Sequence, residues 1–135
     1  MEDTVARLRA QMATAEYGRD DPIRTTMALI GDSWTPLILL VLESGEWRHA
    51  DLRRALDQLS GERPISQRML TLKLRALERE GYVTRHATPD VPPRVSYALS
   101  PPGRELQRLV RTKVQWIADR RGAIAAARAQ YDATR

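Results

Sequence analysis

The segment SQRMLTLKLRALERE, residues 66–80, contains the side chains with the clearest capacity for recognition chemistry. Leu70, Leu74 and Leu77 recur at steps of four and three, which predicts a helix with one buried apolar face. The opposite face carries hydrogen-bonding and basic side chains, and the major groove of duplex DNA, about 12 Å wide, admits a helix of this kind. The amino-terminal turns of such a helix meet the bases first. The predicted base contacts are Ser66, Gln67, Arg68 and Thr71.

Basic side chains around and beyond those turns could contact phosphates. Arginines on the preceding segment and beside the prolines of a later loop would flank the helix, and the basic residues toward its carboxyl end lie farther from the bases. The predicted contacts to a DNA backbone are Arg53, Arg54, Lys73, Arg75, Arg79 and Arg94. Two other interpretations stay open, because solvated arginines are ordinary on a helix surface and Arg94 could simply pair with Asp90.

The patterns on both sides of this segment predict the elements that position it. Ser66 can cap the helix and Gly81 can end it. The runs YVTRHA and RVSYALS follow, separated by TPDVPP, whose prolines exclude a helix and favour a loop between paired strands. The preceding run WRHADLRRALDQLS predicts a short helix with an apolar face formed by Leu52, Ala55, Leu56 and Leu59. Residues 49–99 should therefore form helix, tight turn, helix and β-hairpin.

The amino-terminal part of the chain predicts three more helices. The second starts at Pro22, with Asp20 or Asp21 as the cap for its free amide groups, and breaks at Gly31. The third begins near residues 32–33, and its apolar run is nearly continuous, which predicts the central buried helix. The first helix ends at Gly18, and its apolar stripe consists of Val5, Leu8, Met12 and Ala15.

The two ends of the chain carry more apolar helix surface than a small core can cover. A last long helix runs from Pro101 toward Tyr131 and has an apolar seam of its own. Pairing with a second copy would remove these stripes from water, although both helices could instead fold back onto their own core. The predicted dimer interface consists of Val5, Leu8, Met12, Val110, Val114, Trp116, Ile117 and Ile124.

We interpret the 135 residues as one domain, with an amino-terminal helix at 1–17, a DNA-binding core at 21–100 and a carboxyl-terminal helix at 101–131. The formal net charge is +5 at pH 7, and the excess of basic over acidic residues lies entirely after residue 47. That uneven distribution favours a polyanionic partner for part of the surface, although an ordinary mixed-charge surface stays open.

Composition also argues against several functional classes. The chain has no cysteine, two histidines and no phosphate-loop or nucleophile motif, so we expect no catalysis, no bound metal and no cofactor. No apolar run approaches the roughly 18 residues that a membrane span needs, and the amino terminus is charged. We therefore expect a cytoplasmic protein that does not bind membranes.

Four stretches resemble the HxlR-type regulators within the MarR-like winged-helix group. They are DPIRTTMALIGDSWTPLILLVL, WRHADLRRAL, ISQRMLTLKLRALEREGYVTR and VPPRVSYALSPPGREL, and together they cover residues 21–106. The resemblance implies a mainly α winged helix-turn-helix protein, a homodimeric bacterial repressor or activator. It also implies that the helix at 66–80 enters the major groove and that the loop at 88–94 forms the wing.

Two positions depart from the family pattern. Asp21 stands where similar members often have a redox-sensing cysteine, which excludes thiol-based sensing at this position. Residues 31–34 read Gly-Asp-Ser-Trp where the family commonly has Gly-Gly-Lys-Trp, which affects local contacts and not the fold.

The sequence thus predicts a sequence-specific regulator that binds double-stranded DNA. The alternative is a winged-helix module that binds another protein instead of DNA. A small-molecule effector also stays open as a partner. Trp34, Trp47 and Tyr97 could line its pocket, although aromatic residues at such positions belong to a core more often than to a ligand site.

Overall fold

The computed structural model describes residues 2–12, 18–61 and 63–134. Within these ranges the elements are α1 (Glu2–Met12), α2 (Pro22–Gly31), α3 (Thr35–Val41), β1 (Trp47–Arg48), α4 (His49–Leu59), α5 (Gln67–Arg79), β2 (Val83–Ala87), β3 (Val95–Leu99), α6 (Pro101–Asp119) and α7 (Arg121–Ala133). Short 3-10 turns occupy Gly18–Asp20 and Leu42–Ser44. The protein is mainly α-helical with a small antiparallel sheet, as predicted. Ala15, predicted for the stripe of α1, lies outside the described residues.

Helix α3 lies at the centre of the core, as its apolar run predicted. Ile38 and Leu39 are inaccessible to solvent, and α3 packs against α2, α4 and α6. Leu59, predicted for the apolar face of α4, is 54% exposed, so the last turn of α4 lies beyond the core. In the described part of the chain no single helix is long and apolar enough to cross a membrane; α2 and the α3 region pass that test only as a pair bent by 82°.

Helix α5 is fixed to the core by one face. Leu70, Leu74 and Leu77 are fully buried, which confirms the predicted orientation of the helix. Burial of each such side chain contributes about 1.5 to 3 kcal/mol to stability. The predicted ends are confirmed as well: the Met69 amide donates to Ser66 Oγ at 3.0 Å, and Gly81 adopts φ +84°, a left-handed conformation that glycine tolerates best.

The predicted hairpin forms, and a third strand joins it. Strands β2 and β3 pair antiparallel, from Val83 opposite Leu99 to Ala87 opposite Val95, and residues 88–94 connect them. Strand β1 pairs antiparallel with the other edge of β3, which places β3 in the middle of the sheet. The sequence prediction missed β1 because two residues are too few to show the alternation of a strand.

The predicted long carboxyl-terminal helix is wrong in one respect, because it breaks at Arg120 into α6 and α7. The Arg120 amide donates to Ile117 O at 3.0 Å, three residues back. The Trp116 carbonyl, which would accept that amide in a continuous α-helix, accepts the Arg120 guanidinium instead at 3.0 Å. Gly122, a poor helix former, lies two residues later.

The turn between α2 and α3 is organised around the Asp32 carboxylate. Asp32 Oδ1 accepts the amides of Trp34 at 2.6 Å and Thr35 at 2.7 Å, so α3 begins at Thr35 and not at residues 32–33. Asp32 Oδ2 accepts the Thr35 hydroxyl at 2.7 Å and the Lys73 ammonium at 2.9 Å. The carboxylate thereby ties this turn to α5. At the other end of α2, Asp21 is the one of the two predicted candidates that caps the helix, and it accepts the Ile23 amide at 2.9 Å.

Burial of the Asp32 carboxyl by itself would raise its pKa. The hydrogen bonds from Thr35, Lys73 and Trp34 outweigh that effect, and the pKa of Asp32 lies below its ordinary value of 3.8. A carboxyl whose pKa is depressed in the folded state stabilises the fold at pH values above its ordinary pKa. That contribution is lost as the pH falls through the folded-state value.

Gly103 sets the distance between α6 and the segment that follows α5. A Cβ atom at this position would lie 1.8 Å from the carbonyl oxygen of Tyr82. The same oxygen accepts the Ser100 amide at 3.0 Å, and Ser100 Oγ accepts the Gly103 amide at 3.1 Å as the cap of α6. Any side chain at residue 103 must therefore push α6 away from the sheet.

We expect Gly103→Ala to lower the free energy of unfolding by about 3 kcal/mol, because backbone and not a flexible side chain blocks the added methyl group. Gly122→Ala is the matched control, since its Cβ would meet nothing within 4 Å. That control should be neutral or stabilising by about 0.5 to 1 kcal/mol. Urea denaturation at equal protein concentrations measures both, and equal midpoints for the two variants would show that the close approach is relieved at little cost.

We expect Asp32→Asn to lower the free energy of unfolding by about 1 to 2 kcal/mol near neutral pH, because the variant loses the charge that holds Lys73. The difference from the unmodified protein should shrink as the pH falls through 3.8 and below. Denaturant titrations across this range measure the difference, and a deficit that is independent of pH would contradict the ionic role.

Candidate nucleic-acid interface

The face of α5 opposite the buried leucines is exposed, as the helix periodicity predicted. Gln67 and Arg68 project from its first turn and are open to solvent. Ser66, predicted as a base contact, uses its hydroxyl to cap the helix. Gln67 and Arg68 have side chains free to meet base edges. Ser66 Oγ accepts the Met69 amide but keeps its hydroxyl hydrogen to donate, so its base contact stays a prediction.

Thr71, the remaining predicted base contact, is half-buried and hydrogen-bonded on both sides. Its hydroxyl donates to Gln67 O at 2.9 Å, so His49 Nε2, 3.0 Å away, must be the donor in the second bond. Burial, with a smaller contribution from the nearby Arg53 guanidinium, holds the pKa of His49 below its ordinary value of 6.5. Burial thus favours the neutral imidazole, and the hydrogen bond from Nε2 fixes the Thr71 side chain.

Two of the predicted phosphate contacts are instead engaged inside the protein. Arg53 Nε donates to Ile65 O at 3.0 Å and connects α4 to the loop before α5. Lys73 faces the α2–α3 turn, where Asp32 holds its ammonium group. The periodicity of each helix gave no sign of this, because the partners lie 12 and 41 residues away in the chain. A phosphate contact by either residue stays a prediction, and it would require Arg53 to use its terminal nitrogens and Lys73 to leave Asp32.

The other predicted phosphate contacts remain accessible. Arg54 pairs with Asp51 on its own helix, and Arg79 pairs with Asp20 and Glu80, in bonds exposed to solvent. Such surface pairs are worth at most about 1 kcal/mol and can exchange for phosphate. Arg75 and Arg94 are exposed, and among the described residues Arg94 forms no ion pair with Asp90.

A cleft of about 680 Å³ separates α5 from the hairpin. Its lining includes Thr71 and Arg75 from α5, Tyr97 from β3, and His49 at the start of α4. It also includes two arginines that the sequence prediction did not select, Arg48 and Arg85. Arg85 could have been found from strand alternation, because it lies two residues after the buried Val83 and opposite Tyr97.

A second groove, of about 460 Å³, lies between α2 and α5, beside the exposed polar face of α5. Its lining includes the apolar side chains of Leu29, Met69, Leu72 and Ala76. The aromatic residues considered for an effector pocket do not share a cavity: Trp34, Trp47 and Tyr97 line three separate ones.

The terminal helices expose most of the apolar residues predicted for a dimer interface. The exposed fractions of Val5, Leu8, Val114, Trp116 and Ile117 lie between 46% and 55%. Met12 and Ile124 are partly exposed. Val110 is an error in that prediction: it is 2% exposed and packs in the core of its own chain, because periodicity identifies an apolar face but not what covers it.

Comparison with known proteins places this arrangement in a family. Residues 29–124 match the HxlR-like helix-turn-helix family. YdeP of Bacillus subtilis, an uncharacterized HTH-type transcriptional regulator, is 34% identical over 113 residues, which cover 81% of this chain and 84% of YdeP.

Solved structures with the same fold also have similar sequences. The transcriptional regulator ytfH from Salmonella typhimurium is 34% identical with a TM-score of 0.68, and the match covers 79% of this chain and 90% of ytfH. The redox regulator HypR in its reduced form is 33% identical with a TM-score of 0.67, over 78% of this chain and 98% of HypR. The chain therefore belongs to the HxlR-like helix-turn-helix family of DNA-binding transcriptional regulators, with the winged-helix fold of its MarR-type relatives.

Proposed function

We propose that the protein regulates transcription by binding specific duplex DNA sequences as a homodimer, with α5 in the major groove. The observation that carries this proposal is the division of α5 into two faces. Its leucines are inaccessible to solvent, while Gln67, Arg68 and Arg75 point outward. A helix held in this way can enter a groove without uncovering its own core.

The hairpin supplies the second contact in this proposal. Its loop, residues 88–94, extends from the sheet beside α5. The Thr88 amide donates to Arg94 O at 3.0 Å, and the Arg94 amide donates to Thr88 Oγ1 at 2.9 Å. These two bonds close the base of the loop, so that Arg94 reaches a phosphate or the minor groove from a rigid support.

The terminal helices supply the dimer contact in this proposal. Residues 1–135 form a single domain in each copy. Apolar surface on α1 and α6 that is half exposed in one copy would be removed from water by a second copy. The Arg120 guanidinium lies 4.0 Å above the Trp116 ring and holds that side chain at the surface. Two copies of α5 related by a twofold axis would read two half-sites.

For duplex selected from a random pool, we expect Arg68→Ala to weaken binding by about 1 to 3 kcal/mol and to relax the preference at one base position, because Arg68 faces the base edges. Arg75→Ala should weaken binding to all sequences alike and reduce the salt slope by about 1, as expected for a phosphate contact. Shift assays at several salt concentrations measure both effects. Binding that is independent of salt in the unmodified protein and both variants would contradict the proposal and favour a protein-binding role for the fold.

We expect Leu8→Glu and Ile117→Glu each to weaken dimerisation by about tenfold or more, because a dimer would have to bury the new carboxylate. Leu59→Glu is the matched control: Leu59 is 54% exposed, comparable to Leu8 at 50% and Ile117 at 49%, but lies on α4. Sedimentation equilibrium measures the dissociation constants. A monomeric unmodified protein, or an equal effect of all three substitutions, would contradict the assignment of these helices to the interface.

A further inference from the structure

The cleft between α5 and the hairpin contains basic groups that the protein itself does not neutralise. Arg48, Arg75, Arg85 and Arg94 border it, and Glu78 is the one acidic residue of its lining. Among the described residues none of these four guanidinium groups forms an ion pair, whereas Arg54, Lys73 and Arg79 all do. The cleft therefore presents basic groups on its walls that are available to an anion.

The position of the cleft identifies the anion that would neutralise it. A helix in the major groove and a hairpin at the adjacent minor groove lie on opposite sides of one sugar-phosphate strand, because that strand separates the two grooves. The space between α5 and the hairpin must then receive the strand. DNA carries one negative charge per phosphate along it, which matches a cleft bordered by arginines on both walls.

The secondary structure around the cleft fixes the positions of Arg48, Arg75 and Arg85. Arg85 is opposite Tyr97 in the β2–β3 register. Arg48 belongs to β1, which pairs with the other side of β3 and continues directly into α4. Arg75 projects from α5 one turn beyond Thr71, which His49 holds by its hydrogen bond. Arg48, Arg75 and Arg85 therefore sit on helix and strand positions with fixed neighbours.

We infer that the cleft clamps the sugar-phosphate strand between the two grooves, with Arg48 and Arg85 as phosphate contacts additional to Arg75. This inference rests on the proposed function and specifies how the protein is held on its site. A clamp on the intervening strand fixes the depth and rotation of α5 in the major groove, and thereby the register in which Gln67 and Arg68 meet the bases.

The test uses the full-length protein and the duplex selected by it. Arg48→Gln and Arg85→Gln should each lower affinity about tenfold and reduce the salt slope by about 1, since each removes one charge-assisted contact. Arg104→Gln removes the same charge from an exposed position on α6 outside the cleft, and it should change affinity less than about twofold. Circular dichroism establishes that all three variants are folded.

Duplexes with a single neutral methylphosphonate linkage locate the contact. Affinity of the unmodified protein should fall most when the neutral linkage lies on the strand between the bases read by α5 and the segment covered by the hairpin. Arg85→Gln should lose sensitivity to the linkage that Arg85 contacts and remain sensitive to the linkages contacted by Arg48 and Arg75.

Three outcomes separate the two proposals. If Arg68→Ala and Arg75→Ala weaken binding while Arg48→Gln and Arg85→Gln match Arg104→Gln, the clamp is wrong and the proposed function stands. If Arg85→Gln keeps full sensitivity to every linkage of the intervening strand, Arg85 contacts none of them and the clamp is again wrong. If the unmodified protein binds no duplex, both proposals fail.

Discussion

The structure depends on the burial of one leucine face of α5. Leu70, Leu74 and Leu77 have no accessible surface and join a core centred on α3. Every exposed residue of α5 takes its direction from that burial, since a rotation of about 100° per residue leaves no freedom once three positions are fixed. The exposed polar face of α5 is therefore a consequence of core packing. In the proposed function, substitutions that loosen the core would impair recognition without altering any residue of that exposed face.

Polar contacts on the flanks of α5 complete its attachment. Asp32 binds Lys73 on one flank, and His49 binds Thr71 on the other. Arg53 holds the loop that leads into the helix. These contacts divide the basic and polar residues into two groups: Arg53 and Lys73 position the helix, while Arg68 and Arg75 remain free to meet an anion. The Gly-Asp-Ser-Trp sequence at residues 31–34 accordingly has a structural role here, because its carboxylate accepts the Thr35 amide at the start of α3 and is the partner of Lys73.

Local patterns predicted the elements that have strong local signals. The spacing of the leucines, the cap at Ser66, the turn at Gly81 and the prolines between two extended runs were enough to predict α5 and the hairpin. Contacts between distant parts of the chain were not predictable in this way. Those of Arg53 and Lys73, the burial of Val110, and the convergence of Arg48 with Arg85 all depend on tertiary placement. The break at Arg120 depends on a competition between a side chain and a backbone amide for one carbonyl, which periodicity does not reveal.

The most direct test of this account is a crystal structure of the protein bound to a duplex that it selects. The account predicts α5 in the major groove, with Gln67 and Arg68 within hydrogen-bonding distance of base edges and the three leucines still buried. A complex in which the polar face of α5 points away from the duplex, or is covered by another part of the same protein, would contradict it.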